Sequence, residues 1–182
     1  MTDFTKNGSS GGETIGALLA KNASLHGKDI ARREKERGIW KETTWAEYAQ
    51  EVVACAAGLG KIGVKPGKAV LVLGDNRARL YGGMLAVSLL GAYAMPAYPG
   101  ATLEELRHFL GEVEIFAAIA EDQEQVDKIL ELKDAGAEGI DHIIYDEARG
   151  LGFYEVEGLT SWDHLIKIGQ HDLNETPGLR EE

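Results

Sequence analysis

Residues 69–97 read AVLVLGDNRARLYGGMLAVSLLGAYAMPA, and the fold follows from how they divide. The run Ala69–Leu73 is apolar at every position, where a strand with one wet face would alternate. It therefore predicts a strand covered on both faces. A helix over 77–90 and a second apolar strand over 92–97 complete a strand–helix–strand unit, whose strands are expected to run parallel.

Downstream the pattern repeats. A helix over 102–110 opens on Thr102 and Glu105, which have capping-box spacing, so a hydroxyl and a carboxylate exchange hydrogen bonds with the first turn. Strand 115–120, helix 124–132 and strand 142–145 follow. Further on, GFYEVEG (152–158) is expected as an edge strand. SWDHLIKIG then starts a helix, with Thr160 or Ser161 as cap and Asp163 in the first turn. After Gly169 the sequence is polar, and 171–182 is expected as a polar tail.

Upstream, residues 1–12 are polar and rich in Gly and Ser, which predicts a flexible tail. Ile15, Leu18, Leu19 and Leu25 recur at helical spacing, ending near Gly27. DIARRE and GIWKETT, joined by KERG, predict a short β-hairpin. Thr44 and Glu47 form another capping box before a helix whose apolar face includes Tyr48, Val52, Cys55, Leu59 and Ile62; Lys65-Pro66-Gly67 turns the chain into the first buried strand. The fold class is thus α/β: a doubly wound, mainly parallel sheet with helices on both faces and an N-terminal β-hairpin, all within 13–170.

The formal net charge of −11 over 182 residues repels phosphate backbones, so nucleic-acid binding is excluded from the expected functions. The basic run Arg32, Arg33, Lys35, Arg37 is interrupted by Glu34 and Glu36, a sign alternation that predicts a solvated face. From Leu80 to Leu103 no residue is charged, but Gly82, Gly83, Gly91, Pro96, Pro99 and Gly100 break the stretch. A buried helix leading into a buried strand is expected there rather than a transmembrane segment. Nothing in MTDFTKNGSSGGE resembles the apolar core of a signal peptide. The lone cysteine, Cys55, sits in the apolar stretch VVACAAGL and is expected as a small core residue, in keeping with a reducing cytosol.

Candidate chemistry is sparse. GLGKIG (58–63) has the spacing of the G-x-G-x-x-G dinucleotide fingerprint, but that motif follows a strand and opens a helix. Here it closes a helix and precedes a strand, so Gly58, Gly60 and Gly63 are expected as a helix end and turn. The early SSGG lacks a preceding strand and a closing Lys. Histidines 26, 108, 142, 164 and 171 lack metal-ligand spacing, and neither a G-x-S-x-G elbow nor a Walker loop occurs. The loop Gly74-Asp75-Asn76-Arg77 lies at the carboxyl end of the first buried strand, where ligands of doubly wound sheets sit. Capping of the next helix by Asp75 or Asn76 explains it equally well. No catalytic, cofactor-binding or metal-binding residue is assigned.

One long string resembles the N-terminal region of the adenylate-forming acyl-CoA synthetases, the AMP-dependent synthetases and ligases. Its parts are Trp45-Ala46-Glu47-Tyr48, the turn Gly63-Val64-Lys65-Pro66-Gly67-Lys68, Asn76 to Tyr81, Gly91-Ala92 to Pro96, and Thr102 to Leu106. Lys68 replaces an acidic residue usual in that turn. The segment AIAEDQEQVDKIL looks most like the bacterial long-chain fatty acid–CoA ligases. The resemblance covers about 13–170 and implies a parent enzyme that uses ATP, Mg and coenzyme A to activate a fatty acid. It implies a cytoplasmic location, in solution or at a membrane surface. It also implies that the phosphate loop, the nucleotide- and metal-binding motifs and the catalytic lysine lie beyond Glu182, leaving these residues a scaffold without activity of its own. Three readings remain open: the N-terminal piece of such a ligase, able to self-associate through an uncovered sheet edge; a stand-alone α/β module that binds a nucleotide or a protein; or a regulatory domain that borrowed this fold.

Overall fold

The computed structural model describes residues 13–175 with the exception of Glu138. The expected tail 1–12 lies outside the described residues. Helix α1 (Ile15–Leu25) comes first, capped by the Thr14 hydroxyl, and is followed by strands β1 (Ile30–Glu36) and β2 (Ile39–Thr44), which form the antiparallel hairpin. Helix α2 (Trp45–Lys61) opens on a complete Thr44–Glu47 capping box. Hydrogen bonds from the Thr44 backbone and hydroxyl hold the Glu47 carboxyl below its ordinary pKa.

Next in order are β3 (Ala69–Leu73), α3 (Ala78–Leu89), β4 (Tyr93–Ala97), α4 (Leu103–Glu112), β5 (Ile115–Ala120), α5 (Gln123–Asp134), β6 (His142–Tyr145), β7 (Leu159–Ser161) and α6 (Trp162–Glu175). The five-stranded sheet has the order β4-β3-β5-β6-β7, with every pair parallel.

Side-chain alternation along the central strands sorts the core into two layers. Val70, Val72, Ala117, Ile119 and Ile144 face the first layer, where they meet Val52, Cys55 and Leu59 of α2, Ala86 and Val87 of α3, and Trp162 and Leu165 of α6. Leu71, Leu73, Ala118, Ala120 and Ile143 face the second, against Leu106 of α4 and Val126, Ile129 and Leu132 of α5. Cys55 is fully buried in the first layer, and burial pushes its thiol far above the usual range. It packs as a small apolar residue.

The former fingerprint residues serve three separate roles. Gly58, inside α2, lies against the Leu165 backbone of α6; on the other side Gly169 of α6 faces the Ala54 carbonyl and Gly58. A Cβ at either site would overlap backbone atoms, so this pair of glycines sets the closeness of the α2–α6 contact. Gly63 ends the helix at φ +104, a left-handed conformation that favours glycine. Gly60 has only the end of Leu90 nearby, at 3.8 Å.

Strand β4 is an outer strand. The Tyr93 N–H bonds to the Lys68 carbonyl, inward toward β3, so by alternation position 96 turns its nitrogen to the open edge. Pro96 therefore removes a donor that no neighbour uses.

Two expectations are corrected. GFYEVEG is not a strand; the edge strand is the following Leu159–Ser161. Residues in that stretch spend their bonds on local turns (Tyr154 N–H to Leu151, Leu159 N–H to Val156). The Tyr154 hydroxyl meanwhile donates to Asp127 and accepts from Gln123 of α5. The second correction concerns 171–182: α6 continues past Gly169 to Glu175, with Leu173 buried and Asp172 paired to Lys61 at 2.6 Å. Residues 176–182 lie outside the described residues.

The glycine roles separate by mutation. Gly58→Val and Gly169→Val are each expected to cost roughly 3 kcal/mol of stability by chemical denaturation. Gly60→Ala is expected to gain about 0.5–1 kcal/mol through helix propensity. Equal effects at all three sites would contradict these assignments.

Candidate functional site

The sheet reverses its winding beside β3. From β3 the chain crosses by α3 on the first layer to β4; from β5 it crosses by α5 on the second layer to β6. The loops leaving β3 and β5 therefore part company, and a crevice opens outside the carboxyl ends of the strands. A cleft of about 1040 Å³ lies there, walled by the turns after β3, β5 and β6 and by the outer half of the β1–β2 hairpin. Gly74-Asp75-Asn76-Arg77, singled out in the sequence, leads into it, with Arg77 on its wall.

Asp75 and Asn76 do not cap α3. The cap position is Arg77, without a side-chain capping bond; the Asp75 carboxylate accepts from the Asn76 N–H at 2.8 Å, and the Asn76 amide oxygen accepts from the Tyr81 hydroxyl at 2.9 Å. Acids from other elements meet this turn instead. Glu121, just after β5, accepts from the Asp75 N–H at 2.6 Å and from Arg77 Nε at 2.7 Å. Glu34 of the hairpin accepts from the Ala78 N–H at 3.5 Å. Gly74 makes the turn feasible, since a Cβ there would sit 2.6 Å from the Glu121 Cβ and 2.7 Å from Leu80.

One turn further, Arg79 bridges two elements. It donates to Asp146, after β6, at 3.0 Å and to Asp163, in the first turn of α6, at 2.7 Å. Burial opposes the Arg79 charge, but the two carboxylates outweigh it and hold its pKa above the ordinary value. Burial also raises the Asp146 carboxyl, with Arg79 pulling it down. The hydrogen bond to Glu121 raises Arg77.

The expectation of a solvated face for the basic run fails at Arg32. Strand alternation points it inward opposite Thr43, where its guanidinium lies 4.7 Å from the Tyr48 ring centre. It donates to the Ala78 carbonyl at 3.0 Å and pairs with Glu51 of α2. Arg33, on the outer side, pairs with Glu42 and stays exposed. This inward arginine was missed because it needs the register of the hairpin, which charge order alone does not give.

The histidines do not converge. His26 pairs with Asp29 on the surface, the His142 ring lies 5.8 Å from that of Phe116 with the planes tilted by 48°, and His108, His164 and His171 are exposed on α4 and α6. Among the described residues no group of three His, Cys, Asp or Glu side chains has the geometry to hold a metal ion. No described helix is long and apolar enough to cross a membrane. Of the basic side chains at the cleft, Arg32, Arg77 and Arg79 are matched by carboxylates, and Lys35, Arg37, Lys41 and Arg149 also line it. No chemical step is assigned to these residues.

A family model described as AMP-binding enzyme matches residues 19–175. The chain belongs to the AMP-binding enzyme family. Its similarity to the adenylate-forming acyl-CoA ligases extends to individual members. Over 121 residues it is 24% identical to the long-chain-fatty-acid–CoA ligase ACSBG2 of Xenopus laevis, covering 66% of this chain and 16% of that one. Over 95 residues it is 30% identical to the long-chain-fatty-acid–CoA ligase FadD15 of Mycobacterium tuberculosis, covering 52% of this chain and 16% of that one. The chain thus spans about a sixth of the length of these relatives. Among solved structures, an acetoacetyl-CoA synthetase from Streptomyces lividans superimposes with a TM-score of 0.72 at 21% identity, over 83% of this chain and 24% of that one. A coronafacic acid ligase from Pectobacterium brasiliense gives 0.71 at 15% identity, over 84% of this chain and 29% of that one. These two likenesses establish the fold: an α/β sheet with the added hairpin.

The Arg79 bridge gives a pH-dependent prediction. Arg79→Met leaves Asp146 half-buried without its counter-charge, and about 1–2 kcal/mol of stability should be lost at neutral pH, discounted for partial exposure. Because the folded Asp146 pKa is already raised and rises further in the variant, protonation removes the uncompensated charge. The deficit should therefore shrink as pH falls into the acid range, and Asp146→Asn in the same chain should recover part of it. Urea midpoints measured across pH check this; a deficit that grows on acidification contradicts it.

Proposed function

We propose that these 182 residues form the N-terminal α/β part of an ATP-dependent long-chain fatty acid–CoA ligase. In that reading the parent enzyme joins a fatty carboxylate to the α-phosphate of MgATP, releasing pyrophosphate, and then passes the acyl group to the thiol of coenzyme A. A carboxylate is a poor electrophile, and adenylation supplies the leaving group that thioester formation needs. The observation that carries the proposal is the family match across 19–175 combined with relatives that are long-chain-fatty-acid–CoA ligases.

The role of this part is scaffolding. The sheet and its two helical layers hold a cleft whose main charges are internally balanced, while nucleotide and metal chemistry belongs to other parts of the parent. Self-association of the separate chain belongs to the same reading, supported by the open edge of β4 with Tyr93 and the nearby Tyr98 exposed; a single monomeric species in concentrated sedimentation runs contradicts it. A cytoplasmic place for the parent enzyme is also part of the proposal.

The direct test is turnover. The purified chain, given ATP, magnesium, palmitate and coenzyme A, is expected to release no pyrophosphate above a no-enzyme blank. Catalytic release by this chain would sink the scaffold reading and favour a stand-alone enzyme. Tight, stoichiometric ATP binding in calorimetry would favour the nucleotide-binding module instead.

A further inference from the structure

The β1–β2 hairpin is held at its inner end. Arg32 donates to the Ala78 carbonyl at 3.0 Å and pairs with Glu51, and Glu34 accepts from the Ala78 N–H at 3.5 Å. These bonds fix the hairpin to the start of α3. Toward the turn, Lys35, Arg37, Gly38, Ile39 and Trp40 are exposed. Arg37 and Gly38 both have positive φ, 48° and 84°, the tight two-residue reversal that keeps the strands together as one unit. Ile39 shares a strand face with Thr43, the register partner of the inward Arg32, so it looks over the cleft while 68% exposed. The two sides of the cleft differ in charge. Lys35 and Arg37 line it from the hairpin; Asp122, Glu124 and Glu147 line it from the turns after β5 and β6, with Arg149 beside them. Those acids have local partners: Asp122 caps α5, Glu124 pairs with Lys128, and Glu147 accepts from the Arg149 N–H. Among the described residues neither Lys35 nor Arg37 forms an ion pair with any of the three.

We propose that the hairpin end is a strap that closes over the cleft, drawn down by the acids on its far side. The Ala78 clamp supplies the pivot, and the two-residue turn is the moving tip. A cleft of about 1040 Å³ is on the order of 10 Å across, close to the Debye length at 0.1 M salt. The attraction between its sides is therefore felt across the gap at low salt and screened at high salt. Each pair of exposed charges is weak on its own, so open and closed forms stay comparable in population, as a gate requires. Closure also takes Ile39 out of water. The hairpin end is free to move because residues 35–40 belong to neither core layer. The consequence is control of entry: with the strap down, the mouth of the cleft narrows around Arg77 and Arg79. The proposal rests on the charges of this chain alone and does not require the ligase reading, since its test contains neither nucleotide nor acyl substrate.

Spin labels on Trp40→Cys, on the outer face of the hairpin, and on Ala148→Cys, across the cleft, test it by pulsed dipolar spectroscopy of the full chain. Cys55 is fully buried and its thiol stays protonated, so it takes no label. At about 10 mM salt the distance distribution should contain a short component. That component should shrink severalfold as salt rises to about 1 M and the Debye length falls from roughly 30 to 3 Å. Lys35→Glu with Arg37→Glu should abolish it at low salt, and adding Glu124→Lys with Glu147→Lys should restore it. Unchanged urea midpoints would show that these surface variants fold, and the salt series needs no charge variant at all. A distribution that salt or charge reversal leaves unchanged would overturn the proposal, as would failure of the charge swap to restore the short component. A short component that vanishes on dilution with unlabelled chain would also overturn it, since the hairpin would then be reaching a second copy.

Discussion

Strand β3 is paired on both sides and buried on both faces, and that single constraint organises the molecule. With β4 and β5 hydrogen-bonded to it and every residue from Ala69 to Leu73 in the core, the chain has one exit, at Gly74. No side chain fits there because Glu121 and Leu80 already fill the space. The turn that results presents the Asp75 N–H and Arg77 to Glu121, and α3 then leaves on one layer while α5 leaves on the other. The crevice is thus a consequence of packing at β3, before any question of function arises.

A set of ion pairs stands in that crevice. Arg77 with Glu121, Arg79 with Asp146 and Asp163, and Arg32 with Glu51 tie together the hairpin, α2, α3, the turns after β5 and β6, and the start of α6. Half-buried charges matched in this way specify geometry more than they add stability.

The central strands are legible because β3 and β5 are apolar at every position, and β5 and β6 fall where the patterning puts them. Capping boxes at Thr44 and Thr102 were equally legible, being local in sequence. What escaped depended on distant partners. Asp75 and Asn76 have good capping chemistry, yet acids more than forty positions away, Glu121 and Glu34, take up the donors around α3. GFYEVEG alternates well enough for a strand, but Tyr154 is claimed by α5. The polar look of HDLNE hid one buried leucine and an ion pair to α2. GLGKIG shows the same lesson in reverse: its spacing imitates a cofactor motif, while its glycines answer to α6 and to the helix end.

The central claim is that these residues fold as one cooperative body around β3. Amide hydrogen exchange of the chain, followed by mass spectrometry, tests it most directly. The account predicts that 69–73 and 115–120 exchange only through global unfolding, with the hairpin end at 36–40 exchanging far sooner. Exchange of the β3 amides as fast as those of the hairpin would contradict it.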